Sequence, residues 1–274
     1  MTSKQQIRNA GNVASFAPRA LRLGGLLACT ALLSACVSGT SADVACNNSS
    51  RDAPLTGEIH NNVVVPRNAT CYLKAHITGD VNAHDGAKVY VLDGTRISGT
   101  FRAVGATLVR FNMDESAPVR SARGSGGSSG SSSAPQRIFV GSNLVIKESK
   151  LSGASGIAAT DIGGNLTLLR NSDAGSRSLD HAAAGTLEIC TPGVCRPEAQ
   201  VKVGKSVKIR QNQVAIALGN TAIGADLKCV SNDVAPLLIK PQAGAASVTV
   251  RGRKSGQCEH PREVVYTMVA KAPA

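Results

Sequence analysis

A repeat of about 20 residues constrains the fold of this 274-residue chain more than any other feature. One repeated unit reads apolar-x-Gly-x-apolar and occupies 55–59, 77–81, 97–101 and 162–166, with a degenerate copy at 223–227. A second unit is a glycine followed by alternating apolar residues, and its copies begin at Gly86, Gly105, Gly141, Gly185 and Gly204. Such spacing is typical of stacked repeats, in which each copy buries its apolar face against its neighbours.

The repeated units predict short β-strands, because they alternate apolar and polar residues. Glycine, Asn, Asp and Ser lie between the units, at positions suited to tight corners. No stretch after residue 36 has the capped periodicity of a helix. Aromatic residues make up only 3% of the chain, so small and β-branched residues must fill the interior.

We therefore predict an all-β chain, folded over residues 55–258 as a single-stranded parallel β-helix of roughly nine short rungs. A β-sandwich or jelly roll with coincidental spacing is the alternative. Residues 114–136 interrupt the repeat, and their centre at 124–133 contains only Gly and Ser. This composition predicts a flexible loop insertion. Residues 259–274 are predicted to cap the last rung as a C-terminal tail, with an edge strand at 264–269.

Residues 1–35 have the character of an export signal peptide, with four basic residues, no acidic ones and a short apolar segment. The segment ends in Leu33-Ser34-Ala35-Cys36, which resembles the lipobox of bacterial lipoproteins. The resemblance implies cleavage before Cys36, attachment of palmitate-type acyl chains there and anchoring to a membrane. Because Val37 is not the Asp that retains such proteins in the inner membrane, we expect the outer membrane. Residues 36–54 are then a lipidated stalk; an ordinary secretory peptide is the alternative.

The charge of the mature chain favours anionic partners. Removing residues 1–35 leaves 26 Lys and Arg against 18 Asp and Glu. We expect contact with the membrane through the lipid anchor, and with anionic polysaccharide or lipopolysaccharide through the basic surface. No basic block interleaved with aromatic residues is present, so nucleic acid is not an expected partner. A solvated basic surface without a dedicated ligand is the plainer interpretation, and the oligomeric state is left open.

Six cysteines follow Cys36, and an even number in an oxidising compartment predicts disulfides. Six cysteines allow many connectivities. Their spacing groups them as neighbours along the chain: Cys46 with Cys71, Cys190 with Cys195, and Cys229 with Cys258. The middle pair encloses a Pro-Gly turn, which brings its ends close together. The outer pairs are predicted to pin the two ends of the folded body.

The Cys71-x-Leu73 start, the repeated units and the closing segment from Leu227 to Cys258 resemble a family of exported bacterial right-handed parallel β-helix repeat proteins. That family has no established activity. The resemblance covers about residues 55–258 and implies the right-handed β-helix fold, without implying a reaction.

Few residues suggest chemistry. Asp180 and His181 are the candidate catalytic acid and base, although adjacent strand residues point to opposite faces. Asp80, Asn82 and Asp85 loosely resemble a calcium loop, but no bidentate Glu follows. We therefore expect no cofactor and no metal, and favour a non-catalytic envelope module that binds anionic polymers. The alternatives are a polysaccharide lyase or hydrolase acting on an acidic glycan, and a self-associating structural element.

Overall fold

A computed structural model describes residues 42–112, 136–151, 155–173, 187–190, 200–241 and 247–266. These residues form 26 β-strands and no helix. The all-β part of the prediction is therefore confirmed. The described ranges accordingly contain no helix with the length and hydrophobicity needed to cross a membrane.

The strands are short, most of them two to five residues long. In chain order they are β1 Val44–Ala45, β2 Leu55–Ile59, β3 Val63–Val65, β4 Thr70–Ile77, β5 Val81–Ala83, β6 Lys88–Val91, β7 Arg96–Ile97, β8 Phe101–Val104, β9 Leu108–Phe111, β10 Ile138–Val140, β11 Leu144–Lys147, β12 Lys150–Leu151, β13 Ser155–Ile157, β14 Thr160–Ile162, β15 Leu166–Leu169, β16 Ser172–Asp173, β17 Leu187–Ile189, β18 Val201–Val203, β19 Val207–Arg210, β20 Ile216–Leu218, β21 Thr221–Ile223, β22 Leu227–Val230, β23 Leu237–Pro241, β24 Thr249–Val250, β25 Lys254–Gly256 and β26 Arg262–Tyr266.

Nine strands form one sheet in the order β1-β3-β5-β8-β11-β15-β19-β22-β25. All of its neighbours pair in parallel, and Val63 lies between Val44 and Val81 in register. The sequence repeat is therefore the step from one strand to its neighbour in the sheet. Longer steps, such as that from Phe101 to Leu144, include residues outside the described ranges.

A second sheet has 15 strands and consists of two runs that share β4. We call the first run, in the order β4-β6-β9-β13-β17-β20-β23-β26, the tyrosine run. We call the second, in the order β4-β7-β10-β14-β18-β21-β24, the histidine run. β2 also pairs with β4. Thr70–Leu73 of β4 pair with β6, whereas His76–Ile77 pair with β7. β4 is therefore a single continuous strand at the position where each later repeat has two strands separated by a corner. A separate pair joins β12 to β16.

The core consists of columns of inward side chains that lie in register from strand to strand. In the nine-stranded sheet one column is completely buried and contains Val63, Val81, Phe101, Leu144, Leu166, Val207 and Leu227. The rings of Phe101 and Phe111 meet edge-on with their centroids 4.8 Å apart. Stacked Val, Leu, Ile and Ala fill the rest, which explains the low aromatic content.

The apolar-x-Gly-x-apolar units differ from the prediction, because only 55–59 is a strand. In the others the glycine lies at a corner: Ile77 ends β4, Gly79 turns the chain, and Val81 begins β5. Both apolar residues point into the core, so the sequence of the corner has the same alternation of buried and exposed residues as a strand. A Cβ on Gly79 would lie 2.8 Å from the carbonyl oxygen of Asn61. The close backbone approach therefore requires glycine here.

Buried amides line the corner that follows the nine-stranded sheet. The backbone N–H and Nδ2 of Asn171 donate to Oδ1 of Asn212, and those of Asn212 donate to Oδ1 of Asn232. Asn232 donates in the same way to Oε1 of Gln257, and Ser149 N–H donates to Oδ1 of Asn171. We call these five residues the amide ladder. Its Asn side chains also donate to strand carbonyls, so their buried polar groups are satisfied.

Two of the three predicted disulfides are confirmed. Cys46–Cys71 and Cys229–Cys258 have Cα–Cα distances of 5.6 and 5.3 Å. Cys190 is disulfide-bonded. Its predicted partner Cys195, the signal segment with Cys36, and the Gly/Ser-rich insertion all lie outside the described residues.

Candidate functional site

Cations occupy the outward face of the nine-stranded sheet. Lys208 is exposed between the buried residues Val207 and Ile209, which is the alternation expected of a strand with one solvated face. All charged residues in the strands of this sheet are basic and at least partly exposed, and we call them the basic strip: Arg102, Lys147, Lys208, Arg210, Lys228 and Lys254. The first five lie at outward positions, and the exposed Lys254 of the last strand is in register with the inward Leu227.

The basic strip is densest at its C-terminal end, on β19, β22 and β25. Lys208 and Lys228 lie directly opposite each other in register. Neighbouring strands are about 4.8 Å apart, so the two charges repel each other unless anions intervene. Within the described residues, no carboxylate lies within ion-pair distance of any member of the strip.

The acidic residues nearest the strip have other contacts. Glu148, beside Lys147, pairs with Arg170 at 2.6 Å. Oδ1 of Asp226 accepts the backbone N–H of Arg253 at 2.8 Å. The strip therefore presents positive charge with which no described carboxylate forms a direct ion pair.

A second polar surface lies on the histidine run. Glu58 of β2, His76 of β4 and Arg96 of β7 are in register on three neighbouring strands. Together with a second row of residues two positions further along each strand (His60, Thr78 and Ser98), they line a shallow depression of about 220 Å³. We call this the polar depression, and the largely buried Ile77 also lines it.

An exposed aromatic ring borders the polar depression. The guanidinium of Arg96 lies 5.3 Å from the ring centroid of Phe139, its neighbour in register. Phe139 is 36% exposed and is the only large hydrophobic side chain exposed in the described ranges. Beyond it, Arg137 makes a bidentate ion pair with Asp161, at 2.7 and 2.6 Å.

The structure does not bring the predicted calcium-loop residues together as ligands. Oδ1 of Asp80 accepts the backbone N–H of Thr100 at 2.7 Å, while Asp85 pairs with Arg67 at 3.1 Å. Asn82 lies at an outward position of β5. Within the described ranges no group of three His, Cys, Asp or Glu is arranged to hold a metal. The candidate catalytic residues Asp180 and His181 lie outside those ranges.

Sequence reasoning missed the polar depression because it aligned the repeats by their glycines. That alignment matches Gly57 with Gly79 and places Glu58 opposite Asp80. In the structure Gly57 pairs with Ala75, and Glu58 faces His76. The spacing of 18 residues between Glu58 and His76 was the available signal.

Comparison with known proteins identifies no relative. No family model matches the chain, and neither does any curated protein or solved structure. Functional conclusions therefore depend on the surfaces described above.

Proposed function

We propose that this chain is a non-catalytic lipoprotein of the bacterial cell envelope that binds anionic envelope or surface polymers through the basic strip. The observation that carries the proposal is the strip itself: six cations, no carboxylate in the same strands, and no ion pair among the described residues. Unneutralised charge of one sign on a regular face favours a ligand of the opposite sign.

We infer that the strands wind as a single-stranded parallel β-helix. Three features support this inference: the parallel pairing throughout, the step of about 20 residues between neighbours, and the eight strands of the first sheet within residues 55–258, close to the roughly nine rungs predicted there. The resemblance described above favours a right-handed helix. Such a solenoid places outward residues in straight columns, which suits an extended ligand.

A polymer is favoured over a single small anion because the strip is long. From β8 to β25 it crosses six strands, or about 24 Å at the usual strand spacing. Several weak charge contacts along one polymer add through their effective concentration. Exposed pairs are individually weak and are screened by salt, so attachment is expected to be salt-sensitive.

The proposed lipid anchor is a separate question from the basic strip, because Cys36 lies outside the described residues. Labelling with palmitate tests the anchor itself, since Cys36→Ser is expected to abolish incorporation.

The binding test compares two triple variants of the full chain in detergent. Lys208→Gln, Arg210→Gln and Lys228→Gln remove three charges from the basic strip. Lys74→Gln, Lys88→Gln and Lys202→Gln remove three exposed charges from the second sheet. Binding to dextran sulfate beads, with neutral dextran beads as the blank, is expected to fall about tenfold or more for the first set and much less for the second.

Two results would count against the proposal. Equal losses in the two triple variants would show that net charge, and not the strip, determines binding. Release of soluble sugar from isolated envelope polysaccharide by the unmodified protein would instead favour the lyase or hydrolase alternative. Lipopolysaccharide and acidic polysaccharide, presented separately at low and high salt, then identify which polymer is held.

A further inference from the structure

We propose that the polar depression on the histidine run binds a small zwitterion, a ligand with one ammonium and one carboxylate group, such as a free amino acid or a dipeptide. This site is on a different sheet from the basic strip and does not depend on the function proposed for it. Glu58 would hold the ammonium group and Arg96 the carboxylate group.

The charges in the depression are arranged differently from several ion pairs of the described surface. Four such pairs join residues of neighbouring repeats: Arg67–Asp85, Lys74–Asp93, Arg137–Asp161 and Glu148–Arg170. Glu58 and Arg96, in contrast, have His76 between them in register. They are therefore two strand spacings apart and form no ion pair with each other.

This separation is suited to a bridging ligand. Two strand spacings are about 10 Å, and a charge-assisted hydrogen bond at each end takes about 2.8 Å. About 4 Å then remains between the ligand's charged groups, before the side chains adjust. Two extended residues span at most about 7 Å, and one residue spans about half of that, so an amino acid and a dipeptide bracket the gap.

A purely anionic ligand suits the depression less well. It would gain the Arg96 contact but would lie close to the Glu58 carboxylate, within the distance over which exposed charges still interact. A purely cationic ligand would pair with Glu58 but would be repelled by the guanidinium of Arg96. Only a ligand carrying both charges pairs with each residue without an unfavourable contact.

The remaining residues of the depression can hold and orient the ligand. Arg96 is positioned by Phe139, whose ring lies under the guanidinium and leaves its donors available. The imidazoles of His60 and His76 and the hydroxyls of Thr78 and Ser98 supply donors and acceptors around the rim. A volume of about 220 Å³ is below the range of about 300–1,000 Å³ typical of sites for drug-sized molecules, which favours a very small ligand.

The test uses the full chain and saturation-transfer NMR with four probes. Alanyl-alanine and alanine carry both charges, N-acetylalanine carries only the carboxylate, and alanine amide carries only the ammonium group. We expect one or both zwitterions to bind at least about threefold more tightly than either singly charged probe, since each singly charged probe lacks one of the two exposed charge contacts. The stronger of the two zwitterions distinguishes a free amino acid from a peptide.

Variants of the two anchoring residues locate the site. Glu58→Gln and Arg96→Gln are each expected to remove the advantage of the zwitterion. Lys74→Gln and Asp93→Asn are matched controls, because these exposed residues form an ion pair beside the depression and are expected to leave binding unchanged. All four positions are at least partly exposed, so circular dichroism is expected to show an unchanged fold for each variant.

Three results would overturn the inference. They are no binding of either zwitterion, equal binding of zwitterions and N-acetylalanine, and binding that Glu58→Gln and Arg96→Gln leave unchanged. Dextran sulfate binding, measured on the same variants, keeps this question separate from the basic strip. Loss of zwitterion binding with dextran sulfate binding intact would confirm two independent sites.

Discussion

The corner that follows the nine-stranded sheet is built differently at the two ends of the protein. In the N-terminal repeats it contains the buried alanines Ala69, Ala87 and Ala106. In the C-terminal repeats the corresponding side chains belong to the amide ladder, with Asn171, Asn212 and Asn232 also buried. Ala106 and Ser149 each come two residues after the neighbouring strands β8 and β11, and here one type of corner changes to the other.

The difference shows that one backbone corner can be stabilised in two ways. In the alanine corners backbone hydrogen bonds link the repeats: Lys88 N–H donates to the carbonyl of Ala69, and Thr107 N–H to that of Ala87, which the Thr107 hydroxyl also contacts. In the amide ladder the Asn and Gln side chains also link one repeat to the next. Because every amide satisfies its neighbour, the loss of one leaves buried groups unpaired on both sides. The C-terminal repeats are therefore expected to be more strongly coupled to one another.

Removing the disulfides is expected to have the largest effect and to differ between the two ends. Cys46 and Cys71 are 25 residues apart, and Cys229 and Cys258 are 29 apart. Loop closure alone predicts a loss of about 3.5 kcal/mol for each pair replaced by alanine. Gln257, next to Cys258, ends the amide ladder, so the C-terminal double variant is expected to lose about 1 kcal/mol more.

Urea unfolding followed by far-ultraviolet circular dichroism measures both disulfide variants, since the chain has no Trp. The two similar loop lengths make each variant the control for the other. An equal loss at both ends would indicate that the amide ladder adds nothing to the C-terminal closure.

Asn212→Ala is expected to cost about 2–3 kcal/mol in the free energy of unfolding. It removes the acceptor of Asn171 N–H and Nδ2, and the donors that reach Asn232 and the carbonyl of Leu168. Asn82→Ala is the matched control, because Asn82 lies on the outward face of β5 and is expected to change stability by less than about 0.5 kcal/mol.

The same urea measurement decides the role of Asn212. A loss for Asn212→Ala as small as that for Asn82→Ala would show that water or local rearrangement replaces the ladder. The two corner types would then be equivalent, and the proposed difference in coupling between the two ends would be wrong.

Three features of the fold were predictable: the all-β class, the step of about 20 residues and two disulfides. They follow from patterns visible in the sequence, namely the periodic apolar residues and the paired cysteines. The register of β2 was not, since Gly57 resembles Gly79 although it pairs with Ala75. The amide ladder was not predicted either. Asn171, Asn212 and Asn232 each follow an alternating strand, but a corner Asn is usually solvated, and only the stacking of repeats buries these three.

The candidate surfaces were predictable only in part. An excess of positive charge in the sequence indicated anionic partners, but not that the cations of one sheet share a face. That result depends on which strands are neighbours, as with Lys208 and Lys228. The polar depression depends on register in the same way, because Glu58, His76 and Arg96 are distant in sequence and adjacent only after folding.

The smallest expected effect concerns the backbone of the same corner. Gly105 and Gly256 have positive φ there, whereas Glu148, Arg170, Gln211 and Ser231 adopt φ of 53–55° without being glycine. A side chain in this region is strained, so Gln211→Gly is expected to stabilise the protein by up to about 0.5 kcal/mol, the relief being partly offset by the freer unfolded chain. Thr167→Gly, in the extended strand β15, is the control and is expected to destabilise by about 1 kcal/mol.

Urea unfolding of Gln211→Gly also tests what imposes the corner. If glycine is stabilising, the stacking of the repeats imposes the positive φ, and Gln211 adopts it at a cost in backbone strain. If glycine is destabilising, the Gln211 side chain or the local rigidity it provides helps to hold Asn212 in the amide ladder. The corners at Glu148, Arg170, Gln211 and Ser231 would then be specified by their own residues, and those at Gly86, Gly105 and Gly256 by glycine.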